Sequence, residues 1–392
     1  MIYLDNNATT AIDPRVATVI AEELNRGPSN PSSQHAAGRD AAARIDDAVL
    51  RIGACLGSDL AQPGGDRLIL TSGGTESNNL ALAGLAKSSR SPLLVSRIEH
   101  ASVTAYAEQA ANAGRPVHFI PVSSNGIVDP ADVGQMLRQL NHDQVVVSVM
   151  SANNETGVIQ PIDEIAGVSR DHGALLHVDA TQSFGKVPFR VDRIPAAAVT
   201  ITPHKFHGPA GVGGLWLSAG VTLRPLLYGG EQQLTTRPGT ESVALVLAMA
   251  KALELAVENQ SASCQRMTAL RDRLEADLAA QIDGLMIHGK DANRLPSTSC
   301  LSFPGTDRQS MLMALDIAGI ACSSGSACSS GSSPPSHVLT AMGCPSWQID
   351  SAIRFGVSRF STDQEIDTAR SRICRIYNRL RSREIVENAV EN

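Results

Sequence analysis

The fold is decided in residues 175–217, which read LLHVDATQSFGKVPFRVDRIPAAAVTITPHKFHGPAGVGGLWL. This stretch contains three apolar runs, LLHVD (175–179), AAVTIT (197–202) and GGLWL (213–217). The runs are nearly continuous and do not alternate with polar residues, a pattern that predicts strands buried on both faces. Polar residues follow each run, where a strand would reach the edge of its sheet.

Four similar runs precede this stretch: LILTS (68–72), LLVS (93–96), VHFIP (117–121) and VVVSVM (145–150). The segments between the runs have helical spacing and are long enough for crossover helices. The sequence therefore predicts an α/β, doubly wound domain with a mostly parallel central sheet. Ligands of such sheets bind at the carboxyl ends of the strands, so the polar residues there are the first candidates for function.

A different pattern begins near residue 256. An amphipathic stripe predicts one long helix (Met267, Leu270, Leu274, Leu278 and Ile282), and LSF (301–303) predicts a strand. Thr362 and Glu365 have the spacing of a capping box ahead of a last helical stripe (Ile366, Ala369, Ile373, Tyr377 and Leu380). We expect a large α/β domain over residues 14–255 and a smaller α+β domain over residues 1–13 and 256–392.

The composition narrows the class of partner. The 392 residues carry a formal net charge of −6 and only 3% aromatic residues, so a nucleic-acid partner is not expected. The most apolar stretch, residues 243–250, ends at Lys251 and is too short to span a membrane. Seven cysteines, an odd and scattered set without a signal sequence ahead of them, predict free thiols in a reducing cytoplasm.

Two residues at successive strand ends suggest a cofactor. Asp179 ends the run LLHVD, and Lys205 follows AAVTIT, 26 residues later. A carboxylate there could keep a heterocyclic nitrogen protonated, and a partly desolvated lysine can form a Schiff base with an aldehyde. This pairing is what pyridoxal phosphate requires. Taken singly, Asp179 could be a helix cap and Lys205 a surface charge.

Further polar residues lie at other predicted strand ends. TSGGTE (71–76) opens a predicted helix and could form an anion site, or could simply cap that helix. His100, Asn154 and Arg354 could supply a stacking ring, a donor to a phenolic oxygen and a fork for a substrate carboxylate. The alternatives are a structural histidine and a surface arginine.

Cys328 lies in the Gly/Ser-rich segment SSGSACSSGSSPPS (323–336), where no core is expected. Its exposure there suggests reactivity, whereas Cys374 beside the last helical stripe should be buried and structural. A metal or redox pair of Cys322 with Cys328 is the competing interpretation. Two thiols without further ligands make a weak metal site, so we expect none.

Together these motifs resemble cysteine desulfurases of the NifS/IscS type, pyridoxal-phosphate enzymes of the aminotransferase fold type I, class V, along nearly the whole chain. The motifs are YLDNNATT (3–10), NPSSQHAAG (30–38), TSGGTESNNLAL (71–82), EHASV (99–103), NNETGVIQPI (153–162), HVDATQSFGKVPF (177–189), PHKFHGPAGVGGL (203–215), RPGTESV (237–243), SSGSACSSGS (323–332) and RFGVSRF (354–360).

The resemblance implies residue roles. Lys205 would hold the cofactor aldehyde, Asp179 would pair with the pyridinium nitrogen, and His100 would stack on the ring and move protons. Cys328 would be the nucleophile that receives the sulfur. The other cofactor contacts would come from Gly74, Thr75, Asn154, Gln182, Thr202, His204 and, reaching the neighbouring subunit's site, Thr240. Substrate would be bound by Asn6, Asn154 and Arg354.

The resemblance also implies the reaction. L-Cysteine would yield L-alanine and a persulfide on Cys328, which passes to a sulfur-acceptor protein of iron–sulfur or other thio-cofactor pathways. The enzyme would be a homodimer with shared active sites. The alternatives are an aminotransferase or selenocysteine-preferring lyase, in which Cys328 is incidental, and a metal or redox sensor that uses Cys322 and Cys328.

Overall fold

The computed structural model describes residues 1–88, 90–140, 142, 144–325 and 334–390, with side chains as far as residue 382. Its strands are β1 (Ile2–Tyr3), β2 (Arg67–Thr71), β3 (Leu93–Ser96), β4 (Val117–Ile120), β5 (Val146–Met150), β6 (Leu175–Asp179), β7 (Ala198–Ile201), β8 (Gly213–Leu217), β9 (Met286–Ile287), β10 (Thr298–Ser302), β11 (Ile320–Ala321) and β12 (Ala352–Gly356).

The helices over the same ranges are α1 (Pro14–Leu24), α2 (Ala36–Leu56), α3 (Gly74–Gly84), α4 (Ala101–Asn112), α5 (Pro130–Leu140), α6 (Ile162–Asp171), α7 (Val243–Glu258), α8 (Gln260–Ala279), α9 (Arg308–Ile317), α10 (His337–Ala341), α11 (Ser346–Asp350) and α12 (Asp363–Val390). No helix within the described ranges is long and apolar enough to cross a membrane.

All seven predicted strands of the large domain form one sheet in the order β2-β8-β7-β6-β5-β3-β4. Strand β8 runs antiparallel to β2 and β7, and the other neighbours are parallel. In this register Asp179 lies opposite Met150 on one side and Thr200 on the other. The carboxyl ends of β5, β6 and β7 therefore meet at one edge, and the predicted fold class is confirmed.

Successive residues of each central strand enter different cores, as strands buried on both faces should. Val147 packs with helices α1, α2, α5, α6 and α7 on one face, whereas Val146 packs with α3 and α4 on the other. Leu70 and Ile69 of β2 divide in the same way. Burial on both faces is the reason that these strands lack polar alternation.

A second core lies around the antiparallel sheet β12-β10-β9 and the parallel pair β1-β11. Helix α8 carries the predicted amphipathic stripe into this core, and Leu4 joins it from the start of the chain. Strand β10 begins three residues before the predicted run, because the buried Thr298 and Ser299 pair with Gly356 and Phe355 of β12. The predicted domain boundary falls inside α7, which continues to Glu258, and the division into domains stays a prediction.

The predicted capping box starts α12. The backbone N–H of Thr362 donates to Glu365 Oε2 at 2.8 Å, and the N–H of Glu365 donates to Thr362 Oγ1 at 3.2 Å. These two bonds satisfy donors that the first helical turn leaves free. Helix α12 then buries Ile366, Ala369 and Ile373 in the second core.

We expect Thr362→Ala to lower the free energy of unfolding by about 1 kcal/mol, because the first turn of α12 loses its side-chain acceptor. Urea denaturation followed by far-UV circular dichroism measures the change. Thr368→Ala, in the same helix, removes a hydroxyl bonded to the Gln364 carbonyl and should change it by less than about 0.5 kcal/mol. Equal losses in both variants would contradict the capping role.

Candidate functional site

The carboxyl ends of β5, β6 and β7 and the N-termini of α3 and α4 surround a cavity of about 320 Å³. A volume of this size accommodates a small-molecule ligand. Ten of the predicted site residues line it: Gly74, Thr75, His100, Asn154, Asp179, Gln182, Thr202, His204, Lys205 and Arg354. The structure thus brings together residues that the sequence places up to 280 positions apart, from Gly74 to Arg354.

Lys205 ends a short turn that follows β7. Its Nζ donates to the carbonyl oxygens of Asn7 and Ala8, each at 2.7 Å. Burial, reinforced by the nearby Arg354 guanidinium, lowers the pKa of the Lys205 amine to about 8. A substantial fraction of this amine is therefore uncharged near neutral pH, the form that attacks a carbonyl carbon.

Asp179 is buried at the end of β6 with a fixed carboxylate. Oδ2 accepts from Asn78 Nδ2 at 2.7 Å, and Oδ1 accepts from the Thr181 backbone N–H at 2.9 Å. Asn78 Nδ2 also donates to Ser102 Oγ at 2.8 Å, so one amide links α3, α4 and the strand end. This carboxylate is held in position to face a protonated ring nitrogen.

His100 is the N-cap of α4. Its Nδ1 accepts from the Ser102 backbone N–H at 3.1 Å, which assigns the ring proton of the neutral side chain to Nε2. Burial, together with the positive charge of Lys205, lowers the pKa of His100 against the opposing effect of Asp179. The ring is thus neutral at physiological pH, as a group that stacks or accepts a proton requires.

The N-terminus of α3 offers an anion site at one end of the cavity. Gly73 precedes the helix in an extended conformation that only glycine adopts freely, with φ of 155°, and its position has no side-chain cap. The free N–H groups of the first turn and the helix dipole favour a negative group there. Thr181 Oγ1, close to Gly74, is buried without a partner among the described residues.

Arg354 reaches the cavity from β12. Nη1 donates to the Asn154 carbonyl at 3.1 Å and Nη2 to Asp5 Oδ1 at 2.9 Å, whereas Nε is buried with no partner in the described part of the chain. Only 3% of the residue is exposed. A buried guanidinium with unused hydrogen-bonding capacity is suited to binding a carboxylate.

The chemistry of the cavity residues, and the buried polar atoms that lack a hydrogen-bond partner, both fit pyridoxal phosphate. An anion site, a fixed carboxylate, a low-pKa amine and a neutral ring face one cavity. Buried atoms without a partner in the described ranges occur at four of its residues: Asn7 Oδ1, Asn78 Oδ1, Thr181 Oγ1 and Arg354 Nε. Such orphaned atoms are costly in a finished core and are expected where a ligand completes the site.

Two predicted residues, Asn6 and Thr240, do not line this cavity, and a third lies outside the described residues. Asn6 lines a smaller neighbouring cavity, and its Nδ2 donates to the Gly356 carbonyl at 2.8 Å. Thr240 is exposed and away from the cavity. Cys328 lies outside the described residues. Gly325, which precedes it in the sequence, and His337, which follows it, both line the cavity.

Sequence reasoning missed Asn7, Asn78 and Ser102. Asn78 carried a signal, because a polar residue on the side of a helix that packs against a sheet needs a buried partner. Asn7 carried none, since it is the backbone carbonyl of this residue that contacts Lys205. Cys322 is half-buried, and desolvation raises the pKa of its thiol to about 12, whereas Cys374 is buried in the second core as expected.

We expect apo-protein to react with the aldehyde of pyridoxal phosphate at a rate that rises with pH through about 8 and then levels, because only the uncharged Lys205 amine attacks. Stopped-flow absorbance between pH 6 and 10.5 gives the midpoint. Arg354→Met removes a neighbouring cation and should raise it, while Arg170→Met, at an exposed residue, should not. A midpoint near 10.5 in the unmodified chain would disprove the effect of burial.

The chain is similar over almost its full length to proteins named cysteine desulfurase and to a NifS-like protein of known structure. It is 35% identical over 97% of its length to "Cysteine desulfurase IscS" of Dictyoglomus turgidum, covering 95% of that protein. It is 38% identical to a cysteine desulfurase of Sinorhizobium fredii, with 97% of each covered. The X-ray structure of a NifS-like protein from Rickettsia africae superposes with a TM-score of 0.89 at 33% identity, covering 96% of this chain and 99% of that one. The family model for aminotransferase class-V matches residues 2–368, and the chain belongs to this family.

Proposed function

We propose that this protein is a pyridoxal-phosphate-dependent cysteine desulfurase that converts L-cysteine to L-alanine and transfers the sulfur to Cys328. The observation that carries the proposal is the meeting of Lys205, Asp179 and Arg354 around one cavity. Amine, carboxylate and guanidinium are the groups needed to hold an aldehyde cofactor and an amino-acid substrate together. Relatives named cysteine desulfurase support the choice of substrate.

The bound cofactor supplies an electron sink that acidifies the substrate Cα and allows its sulfur to leave. Lys205 Nζ, whose lowered pKa leaves a reactive uncharged fraction near neutral pH, would hold the cofactor at rest and take the Cα proton once substrate has displaced it. Asp179 keeps the ring nitrogen protonated. Thr75, Thr202 and His204, with the N-terminus of α3 at Gly74, hold the phosphate.

The remaining residues orient the substrate and the ring. Arg354 binds the substrate carboxylate with the help of Asn6 and Asn154. The Gln182 side-chain amide donates a hydrogen bond to the phenolic oxygen of the cofactor ring. His100 stacks on the ring and moves a proton at Nε2. Arg354, Asn6 and Gln182 are buried and His100 is held by a hydrogen bond before ligand arrives, which lowers the cost of ordering the site.

Cys328 is the proposed acceptor of the sulfur. Its Sγ attacks the substrate sulfur, the Cβ–S bond breaks, and the carbon product gains protons to become alanine. The Gly/Ser-rich sequence around Cys328 suits a thiol that must visit the cofactor and then an outside acceptor. Cys322, half-buried with a thiol pKa raised by desolvation to about 12, is poorly suited to this step.

The proposal extends to partners and location. Thr240, exposed in the single chain, would reach the phosphate in the neighbouring subunit of a homodimer. The persulfide would pass to a sulfur-acceptor protein, such as a scaffold for iron–sulfur cluster assembly, in the cytoplasm. Size-exclusion chromatography with light scattering, and pull-down with the persulfidated protein, test these extensions.

We expect purified protein to absorb near the edge of the visible range and Lys205→Ala to lose that band, because the variant cannot bind the cofactor aldehyde covalently. The spectrum before and after borohydride reduction, with mass spectrometry of the peptide that carries Lys205, measures this. Lys251→Ala, at a surface-accessible lysine of α7, is the control and should keep the band. Persistence of the band in Lys205→Ala would exclude this lysine.

We expect Cys328→Ser to abolish transfer of sulfur from L-cysteine to a protein acceptor, because no thiolate remains to receive it. Alanine and sulfane sulfur are measured together, and Cys322→Ser, the matched thiol variant, should retain transfer. Exchange of the amino group for a keto acid would instead indicate an aminotransferase. Stoichiometric metal without the cofactor would indicate a sensor. Unchanged transfer in Cys328→Ser would refute the assignment.

A further inference from the structure

A second lysine, Lys186, lies next to the proposed site and has no role in the proposed function. Lys186 follows β6 in the turn after Gln182, and only 5% of it is exposed. Burying a lysine among apolar atoms is costly unless its amine has a specific partner. Its Nζ donates to Gln182 Oε1 at 2.5 Å, the one hydrogen bond of this amine within the described ranges.

The Gln182 side chain is held from both ends. Its Oε1 accepts from Lys186, and its Nε2 donates to the Asn7 carbonyl at 3.1 Å. Reversing the amide would place its oxygen against the Asn7 carbonyl oxygen and its NH₂ group against the lysine amine. The contact of two oxygens at Asn7 would be repulsive at any pH, and the contact of two donors would be repulsive when the lysine is charged, so Asn7 and Lys186 together favour one orientation of the amide.

The selected orientation matters because Gln182 lines the cavity. With its oxygen turned back to Lys186, the amide presents its NH₂ group to the cavity, with one N–H engaged by Asn7 and the other available. The Asn7 carbonyl also accepts from Lys205 Nζ at 2.7 Å. A continuous series of hydrogen bonds therefore joins Lys186, Gln182, Asn7 and Lys205.

Solvent has little room beside Lys186. The two lysines line a second cavity of about 20 Å³, the room of a single water molecule. His207 and Arg359 also line it, and the charged groups that act on Lys186 are Lys205 and Arg354, both cationic. Burial and these cations lower the pKa of Lys186 to about 7, yet both the charged and the uncharged amine can donate to an amide oxygen.

We propose that Lys186 is a positioning residue that fixes the Gln182 amide with its NH₂ group toward the cofactor's phenolic oxygen. The inference rests on the proposed function, because it assigns a task to Gln182 in the loaded site. A donor at that oxygen stabilises negative charge on it. Without the donor, the pKa of the nitrogen that joins the cofactor to Lys205 is higher, so this nitrogen keeps its proton to higher pH.

The experiment is a pH titration of the visible band of the holoenzyme. Lys186→Met keeps the length and apolar stem of the side chain and removes the amine. We expect the midpoint of the spectral change to rise by about 0.5 to 1 pH unit, the size that one misaligned hydrogen bond produces. Lys186→Gln, which keeps a donor on a shorter side chain, should give a smaller rise and serves if Lys186→Met does not fold.

A double-mutant cycle separates positioning from general structure. If Lys186 acts through Gln182, then Lys186→Met changes the midpoint by less than about 0.2 unit in a Gln182→Ala background. An additive change, or an unchanged midpoint in every folded Lys186 variant, would overturn the inference. A wild-type chain that neither binds pyridoxal phosphate nor forms alanine would refute the proposed function instead, so the two failures are distinguishable.

Discussion

The candidate site depends on the hydrogen bonds that residues 4–10 make both to β12 of the three-stranded sheet and to the turn after β7 of the seven-stranded sheet. The Gly356 N–H donates to the Leu4 carbonyl at 2.6 Å, and the Thr10 N–H donates to the His204 carbonyl at 2.9 Å. Between these anchors, Asn7 and Ala8 offer their carbonyls to Lys205. The N-terminal segment thus ties β12 of one core to the end of β7 of the other. Without it, Lys205 would lose both acceptors and the desolvation that lowers its pKa.

The electrostatics of the cavity are a balance of few charges. Lys205, Lys186 and Arg354 lie near one another, and the negative groups among their surroundings are Asp179 and Asp5. Burial disfavours the charged forms of Lys186 and Lys205, and the neighbouring positive charges add to the effect. The result is a site in which two amines have lowered pKa values. The nearby positive charges favour the binding of an anionic ligand such as a phosphate.

Most of the fold was predictable because its signals are local. The seven apolar runs of the large sheet needed no knowledge of distant residues, and neither did the stripe of α8 or the capping box of α12. Strand order was less accessible, since β8 inserts between β2 and β7 through pairings that no local pattern contains. The start of β10 was missed because Thr298 and Ser299 are buried polar residues, and only their partners in β12 explain them.

The site residues likewise fall into those that the sequence reveals and those that only the structure reveals. Lys205, Asp179 and His100 stand out in sequence because they are reactive residue types at strand ends, and their convergence follows from the parallel register. The supporting groups do not stand out. Asn7 acts through its backbone, and Asn78 and Ser102 become meaningful only when α3 and α4 are seen to meet at Asp179. The roles of Asn6, Thr240 and Cys328 depend on ligand, partner or residues beyond those the structure describes.

The passage of the N-terminal segment through the site also bears on the order of assembly. Asp5 pairs with Arg354, 349 positions later, and Asn6 bonds Gly356 across 350 positions. During synthesis, Asp5 and Asn6 cannot make these contacts until Arg354 and Gly356 have left the ribosome. Such distant closures are slow relative to local folding. The pocket is consequently completed only after residue 356 has been synthesised, so cofactor binding to the finished site must follow that point in translation.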